Sequence, residues 1–251
     1  MTRRSREVGI VKSFVLGAAL AAALAVPAQA GDNKLALSGV ASFTTDYMFR
    51  SISNSGNGPA VQPEFDLTYG IFYAGIWGSN VSSAINPTSG IEIDYYAGIT
   101  PKWQNITFNI AGLYYTYPGN NDIDYFELKT GASWTGGNWT LGIVNYWSPD
   151  YAQTGLESDA LEGAVAYAFS GKLFNFFSPT ISAVVGEQWY ESPNPDYTYW
   201  NAGLTLGFLD HWSADIRYND TADYSRADCL ALIGNKNACD ARAVGTIKAT
   251  F

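Results

Sequence analysis

The stretch Leu35–Phe49, LALSGVASFTTDYMF, decides the fold because its side chains alternate in character with a period of two. One face is apolar or small and consists of Leu35, Leu37, Gly39, Ala41, Phe43, Tyr47 and Phe49, while the other carries Ser38, Ser42, Thr44, Asp46 and Arg50. Period-two alternation indicates a β-strand whose two faces meet different surroundings. We therefore predict a strand over 35–49 with one apolar face and one wet face.

The same alternation recurs along the chain in segments divided by turn residues, and no segment predicts a helix. The connections between segments are alternately long and polar, or short. This is typical of membrane barrels, which have short periplasmic turns and longer extracellular loops. Twelve strands are predicted, with ten and fourteen as alternatives, at 35–49, 61–69, 71–81, 91–99, 106–116, 123–134, 138–148, 159–170, 179–190, 197–208, 211–219 and 241–251.

The composition excludes several classes of protein. Hydrophobic residues make up 47% of the chain, which is enough for a folded core and excludes disorder. Only 15% of the residues are charged, against about 25% in ordinary soluble domains, so part of the surface is expected to avoid water. The formal charge is -9, and the first 30 residues contribute four basic and one acidic side chain, which leaves -12 for the remainder. A nucleic-acid partner is therefore not expected.

Residues 1–30 predict a cleaved secretory signal peptide, and residues 31–251 a single domain. Basic side chains precede the apolar run Ser13–Val26, and residues 28–30 (AQA) form an A-x-A cleavage site. A membrane anchor helix is the alternative, but it would need about 20 apolar residues. We therefore expect an exported protein.

The two cysteines, Cys229 and Cys239, are ten residues apart in a polar segment. In an oxidising compartment this spacing suits a disulfide that closes one loop. A metal site with two cysteine ligands is the alternative, although it lacks histidine partners nearby. The spacing favours the disulfide.

Four features together favour a transmembrane barrel over a soluble β-sandwich. After residue 30 no apolar run approaches the ~18 residues of a membrane helix, and the apolar faces of the predicted strands carry almost no charge. A terminal phenylalanine, Phe251, on an alternating last strand is typical of bacterial outer-membrane barrels, where it serves as an assembly signal. Aromatic residues gather near strand ends, as interfacial girdles would, at 114–117, 146–147, 189–190 and 197–200. We predict an all-β, antiparallel barrel in the outer membrane of a Gram-negative bacterium.

Several segments of the sequence, taken together, are specific enough to indicate a protein family. They are Gly39–Arg50, residues 59–62 (PAVQ), Phe72–Val81, Glu92–Gly98, Leu113–Gly119, residues 148–150 (SPD) and the loop with both cysteines. Over nearly the whole chain after residue 30, they resemble the TorF-like porin family, formerly a bacterial outer-membrane protein family of unknown function. The resemblance implies a barrel that passes small solutes and supplies no particular substrate.

Charged side chains on the polar faces are the candidates for function because they would line a wet lumen. The predicted lumen acids are Asp46, Glu64, Asp66, Glu92, Asp94, Glu127, Glu162 and Asp215, and the bases are Lys129, Arg217, Arg242 and Lys248, with Arg50 near the outer end. A basic last strand is expected to face the acidic second and fourth strands across the lumen.

The acidic excess predicts a weakly cation-preferring channel for passive diffusion of small hydrophilic solutes or ions. The alternative is a closed or plugged structural or adhesive barrel that acts through its extracellular loops. A narrow lumen could be filled by side chains or by a folded-in loop, so the sequence leaves both open.

No enzyme, metal site or cofactor is predicted. The only histidine, His211, lies in a predicted periplasmic turn, and no G-x-S-x-G motif is present. Residues 120–124 (NNDID) offer oxygen ligands but lack the spacing of a calcium loop. The expected partners are outer-membrane lipid and lipopolysaccharide, the barrel assembly machinery and small solutes.

Overall fold

The computed structural model describes residues 34–191 and 195–251. The predicted signal peptide, residues 1–30, lies outside the described residues. None of the helices in the described part is long and apolar enough to cross a membrane.

Twelve long strands form a closed antiparallel barrel in these residues, as predicted. Each strand pairs with its neighbours in sequence, and the first strand closes the barrel against the last, with Phe43 opposite Ile247. The strands are β1 Leu35–Thr44, β2 Ala60–Tyr69, β3 Phe72–Asn80, β4 Ile91–Ile99, β5 Ile106–Thr116, β6 Tyr125–Gly136, β7 Trp139–Ser148, β8 Ser158–Ala168, β9 Ser178–Tyr190, β10 Tyr197–Phe208, β11 Trp212–Ala222 and β12 Arg242–Thr250.

Six short elements complete the chain between these strands. They are the two-residue strands Met48–Phe49, Ile52–Ser53 and Lys102–Trp103, the 3-10 helices Asn121–Ile123 and Tyr151–Gln153, and the helix α1 Arg226–Ile233. All but Lys102–Trp103 lie at the end of the barrel that carries the longer connections, which we call the loop end. We call the opposite end, where β1 begins and β12 ends, the turn end.

The two faces of the wall differ as the alternation predicted. Large apolar side chains are exposed on the outside of every strand, with Leu37, Phe65 and Val185 among the most exposed. The side chains between them point inward and are mostly polar, small or aromatic. A continuous exposed apolar surface of this size is unfavourable in water and suits lipid.

The predicted first strand is too long. Strand β1 ends at Thr44, and residues 45–59, which we call loop 1, fold into the barrel. Tyr47 and Phe49, predicted on the outer face, therefore lie inside, where Tyr47 is buried and stacks at a tilt against Trp77 with ring centroids 5.2 Å apart. Local alternation continues through residue 49, but the inward contacts of the loop decide its path.

The sequence analysis missed helix α1. Its start is a capping box, in which the Ser225 side chain accepts from the Asp228 amide and the Asp228 carboxylate accepts from the Ser225 amide. Gly234 ends it in the left-handed conformation. The Ser225 hydroxyl and the Ser225 amide both donate to the Asp228 carboxylate, and these bonds hold the pKa of Asp228 below its usual value. The S-x-x-D…G spacing was present in the sequence as a signal.

The predicted disulfide joins Cys229 in α1 to Cys239, with Cα atoms 6.1 Å apart. We call residues 225–240, which contain this bond, the stapled segment. Both cysteines are buried in an apolar cluster with Ile52 of loop 1 and Tyr197. The stapled segment is therefore a packed part of the loop end.

The aromatic girdle prediction is half wrong, because neighbouring residues of a strand face opposite sides. Tyr114, Trp189 and Trp200 are exposed on the outside. Their neighbours Tyr115 and Tyr190 are buried inside. The inward tyrosines fill the loop end of the barrel rather than a membrane interface.

Candidate functional site: the barrel interior

The structure places all thirteen predicted lumen residues on the inside of the barrel. Eleven stand on strands, and Asp46 and Arg50 stand on loop 1. These residues are not evenly spread, and all but Lys129 and Lys248 fall into four groups held by different contacts. The groups are the contacts of loop 1, two tyrosine–acid triplets, a buried acidic pair and a network around Arg217.

Arg50 at the tip of loop 1 is bound to the opposite wall. Its guanidinium Nη2 donates to both carboxylate oxygens of Glu127 at 2.8 Å, and Nη1 donates to Gln188 Oε1 at 2.7 Å. Tyr115 donates to the same Glu127 carboxylate at 2.9 Å. The guanidinium also lies over the Tyr146 ring, 5.0 Å from its centroid. We call this set the latch.

The charge on Arg50 is maintained although the residue is buried. Burial lowers the pKa of the guanidinium, but the negative charge of Glu127 outweighs it, and the pKa of Arg50 is raised overall. Arginine would in any case stay charged at every physiological pH. The latch is therefore an ion pair and not a neutral contact.

The turn at the tip of loop 1 is strained. Arg50 and Ser51 both have positive φ, at 48° and 61°, between the paired strands Met48–Phe49 and Ile52–Ser53. Glycine or asparagine is preferred at such positions, so two side-chain-bearing residues here store conformational energy. Ser51 Oγ donates to the Trp200 carbonyl at 3.0 Å, and this bond helps to hold the turn.

The base of loop 1 is tied by Asp46. Its carboxylate accepts from Ser53 at 2.6 Å and from Ser55 at 2.8 Å, and it forms an ion pair with Arg242 of β12 at 2.7 Å. The Ser53 amide donates to the Ala238 carbonyl of the stapled segment at 2.9 Å. Loop 1 is thus held at its base, along its side and at its tip.

Together these contacts close the interior near the loop end. Glu127 and Gln188 have no exposed surface and Tyr199 only 1%. Towards the turn end, inward residues such as Ser38 and Thr107 keep partial exposure. Other inward residues near the turn end, such as Thr68 and Ser213, are buried, so the filling of the interior is not confined to the loop end.

Two cross-strand triplets hold acids in the interior. The Tyr96 hydroxyl lies 2.7 Å from Asp66 Oδ1 and 3.0 Å from Glu64 Oε1, two strands away. The ring reaches them by crossing β3 at Gly75, where a Cβ atom would collide with it. The same arrangement, in which a tyrosine passes over a glycine of the next strand to reach an acid on the strand beyond, is repeated elsewhere in the barrel.

In the second triplet, Tyr199 of β10 crosses β9 at Gly186 and donates to Glu162 Oε1 of β8 at 2.9 Å. A Cβ at Gly186 would collide with the Tyr199 ring. Tyrosine covering of a strand glycine stabilises a sheet and fixes its register. The acids were predicted from the sequence, but Tyr199 was assigned to a girdle and no role was predicted for Tyr96.

A second acidic pair, Glu92 and Asp94 on β4, lies beneath loop 1. Tyr47 of loop 1 donates to Glu92 Oε1 at 3.2 Å. Burial raises the pKa of the Tyr47 hydroxyl, and the charges of Glu92 and Asp94 raise it further, so it stays a donor. The pair therefore meets loop 1 through a hydroxyl and not through a basic residue.

Arg217 of β11 forms the fourth group. It donates to Asn201 Oδ1 and Ser182 Oγ, both at 2.8 Å, and approaches Asp215 Oδ2 at 3.2 Å. Thr205 donates to the same Asp215 oxygen at 2.6 Å. This network binds three neighbouring strands of the wall.

The predicted opposition between the last strand and the second strand is wrong. Strand β12, with Arg242 and Lys248, pairs with β1, and β1 pairs with β2. The basic residues therefore stand two strands away from Glu64 along the same wall. Closure in sequence order makes the first and last strands neighbours and determines this arrangement.

Within the described residues, no group of three or more His, Cys, Asp and Glu side chains is arranged to hold a metal ion. His211 is exposed at the turn end, away from the interior acids. The interior is therefore a surface of ion pairs, hydroxyls and amides.

Comparison with known proteins places the chain in a family. A family model described as "Bacterial protein of unknown function (Gcw_chp)" matches residues 28–251. The chain belongs to this family. The Gcw_chp match includes every strand of the barrel, together with loop 1 and the stapled segment. No curated protein sequence matches the chain.

Two solved structures resemble the Gcw_chp barrel in fold. One is described as the KdgM porin in complex with disordered oligogalacturonate, with a TM-score of 0.56, 8% identity, and coverage of 86% of this chain and 98% of that one. The other is the NanC porin, with a TM-score of 0.53, 12% identity, and coverage of 86% and 99%. At these identities the similarity shows the fold alone, a porin-like barrel.

Proposed function

We propose that the protein is a porin-like channel for passive diffusion of small hydrophilic solutes or ions, and not an enzyme. The observation that carries the proposal is a charged and polar interior enclosed by a closed barrel whose outer face is apolar. A barrel of this kind satisfies its backbone in lipid and leaves a wet path through the centre. The fold similarity to the KdgM and NanC porins supports it.

The proposed location is the outer membrane of a Gram-negative bacterium, reached through the predicted signal peptide. In this orientation the loop end faces outward and the turn end faces the periplasm. Outer-membrane lipid and lipopolysaccharide would contact the apolar face, and the assembly machinery would engage β12 and Phe251. The TorF-like porin family remains the proposed finer assignment within the Gcw_chp match.

A weak cation preference is part of the proposal. The thirteen interior candidates comprise eight acidic and five basic residues, so their formal charge is negative. Such an interior attracts cations and disfavours polyanions. The oligogalacturonate named with the KdgM porin is a polyanion, and it is a poor match to this interior.

Loop 1 gives the proposal its mechanism. The buried latch joins loop 1 to the opposite wall near the loop end, which supports a closed resting position of the proposed channel. Passage would require loop 1 to leave the wall. A bistable loop with two positions is a common gating element.

The second candidate is a closed structural barrel, and the same filled interior favours it. Planar-bilayer recording distinguishes the two. The test compares the native protein with a variant in which residues 48–53 are replaced by Asn-Gly, a sequence that forms a tight turn between Tyr47 and Asn54. Conductance steps in either protein support the channel, and their absence from both correctly folded proteins supports the structural barrel.

A further inference from the structure

Glu92 and Asp94 occupy alternate inward positions of β4, about 7 Å apart along the strand by the usual rise per residue. They are only 1% and 8% exposed. Two carboxylates in such a position carry a high desolvation cost unless positive charge or hydrogen bonds compensate it. The compensation found in the structure is incomplete.

Two carboxylate oxygens of this pair are without hydrogen bonds. Glu92 Oε2 and Asp94 Oδ1 are buried and have no partner among residues 34–191 and 195–251. In the same part of the chain there are four ion pairs, and none of them involves Glu92 or Asp94. The one basic residue of loop 1, Arg50, is bound to Glu127.

The surroundings of the pair are oxygen-rich and aromatic. The Tyr47 hydroxyl binds Glu92 from above, and Tyr117 lies beside the same carboxylate. Trp77 and Tyr115 flank Asp94 as its partners on the neighbouring strands. Hydroxyl oxygens add ligands, and ring faces favour positive charge.

We propose that Glu92, Asp94 and the Tyr47 hydroxyl form a binding site for a hard divalent cation such as Ca²⁺, beneath loop 1. Two carboxylates match a double positive charge, and an all-oxygen set without His or Cys selects hard cations over transition metals. The burial of both acids limits the ligand to a small ion. The remaining coordination positions would be filled by water.

Strand β2, two strands away from β4, supplies a contrasting pair of acids. Glu64 and Asp66 have the same spacing on β2 and also face inward, but Tyr96 approaches both of them and both keep partial exposure. That pair is compensated by a hydroxyl and by water. It is therefore a matched control for the number and spacing of carboxylates.

The cation site does not depend on conduction, because a closed barrel would hold the ion equally well. It does link the ion to loop 1, since Tyr47 belongs to that loop. A bound cation would strengthen the closed position by adding a ligand contact from Tyr47.

Calorimetric titration of Ca²⁺ into the folded full chain in detergent at neutral pH tests the proposal. We expect one site, with a Kd of about 1 mM or tighter, as in calcium sites with few charged ligands. The signal should be lost in Glu92→Gln/Asp94→Asn and kept in Glu64→Gln/Asp66→Asn. Tb³⁺ emission excited through Trp77 should be quenched by Ca²⁺ in the native protein, which locates the site without any variant.

Each outcome decides the question. Absence of Ca²⁺ binding to the native protein would show that the pair is neutralised by protons, and it overturns the proposal. Equal loss of binding in both double variants means that the interior attracts Ca²⁺ without a specific site, which overturns it as well. If the Glu92/Asp94 variant does not fold, Asp94→Asn alone, which keeps the Tyr47 bond to Glu92, must weaken binding.

Discussion

Arg50 and Glu127 are 77 residues apart in sequence, yet they meet at 2.8 Å inside the barrel with side chains only 4% and 0% exposed. One belongs to a strained turn on loop 1 and the other to the wall. Because hydrogen bonds to buried charges are strong, this contact holds the turn in a conformation that it would otherwise leave. The position of loop 1 thus depends on a few side chains at its tip.

The first prediction concerns Arg50→Ala. Removing hydrogen bonds to a charged group costs about 1.5–3 kcal/mol, so the equilibrium between closed and released loop 1 should shift by about ten- to a hundredfold. We expect longer or more frequent open events in planar-bilayer recordings. Arg226→Ala removes an exposed ion pair with Asp240 and should leave the recordings as they are in the native protein. Identical traces for Arg50→Ala and the native protein would mean that the latch is not a gate.

The second prediction concerns Glu127→Gln. This change leaves the Arg50 charge buried without its partner, and such losses destabilise a protein by about 3–5 kcal/mol. We expect a lower free energy of unfolding in denaturant titrations, and partial recovery in Arg50→Ala/Glu127→Gln. A double-mutant cycle measures the coupling. Simple additivity of the two changes would contradict a direct ion pair.

The third prediction concerns the disulfide between Cys229 and Cys239. By chain entropy, closing a loop of this length stabilises the folded state by about 3 kcal/mol. In Cys229→Ala/Cys239→Ala we expect faster amide exchange at Ser53, whose amide binds the stapled segment at Ala238. The amide of Gly131, in the middle of β6, should exchange at the native rate. Unchanged exchange at Ser53 would mean that the disulfide of the stapled segment does not stabilise loop 1.

The fourth prediction concerns Gly186→Ala in the Tyr199 triplet. The added methyl would meet the Tyr199 ring and move its hydroxyl away from Glu162. Overpacking of this kind costs about 1–3 kcal/mol. On the neighbouring strand β8, Gly163→Ala has open space around the new Cβ and is the matched control. Equal thermal stability of the two variants would contradict the proposed close approach.

Much of the wall could be predicted from the sequence because alternation is a local property. Glu64 and Glu92 lie inside since each stands between outward apolar residues two positions apart. The long and short connections followed from turn residues alone. Strand count and sheet order then follow from closure of neighbouring strands.

Loop 1 could not be predicted in this way. Its path depends on partners such as Gln188, which is 138 residues from Arg50 in sequence. Local alternation placed Tyr47 and Phe49 on the outer face, although they lie inside. No short-range signal in the sequence marks the bend after Thr44. Tyr199 of the second triplet was likewise ambiguous, since an aromatic residue near a strand end suits a girdle or a filled lumen equally well.

The last prediction concerns selectivity and follows from the wall acids. Neutralising Glu64, Asp66, Glu92 and Asp94 together as Gln or Asn removes four of the eight acidic candidates, so the formal charge of the thirteen changes from negative to positive. We expect the cation preference to fall, measured as a shift of the reversal potential in a salt gradient. The matched control removes four exposed acids outside the interior: Asp122, Glu157, Asp210 and Asp223.

The comparison isolates position from total charge, since both variants gain the same net charge. Exposed loop charges are screened within about 10 Å at moderate salt, whereas buried interior charges are screened far less. The interior variant should therefore move the reversal potential towards zero or beyond, and the control should stay near the native value. A shift of the same size in both would assign selectivity to the overall charge of the protein. It would then rule out the interior acids as the residues that select the permeating ion.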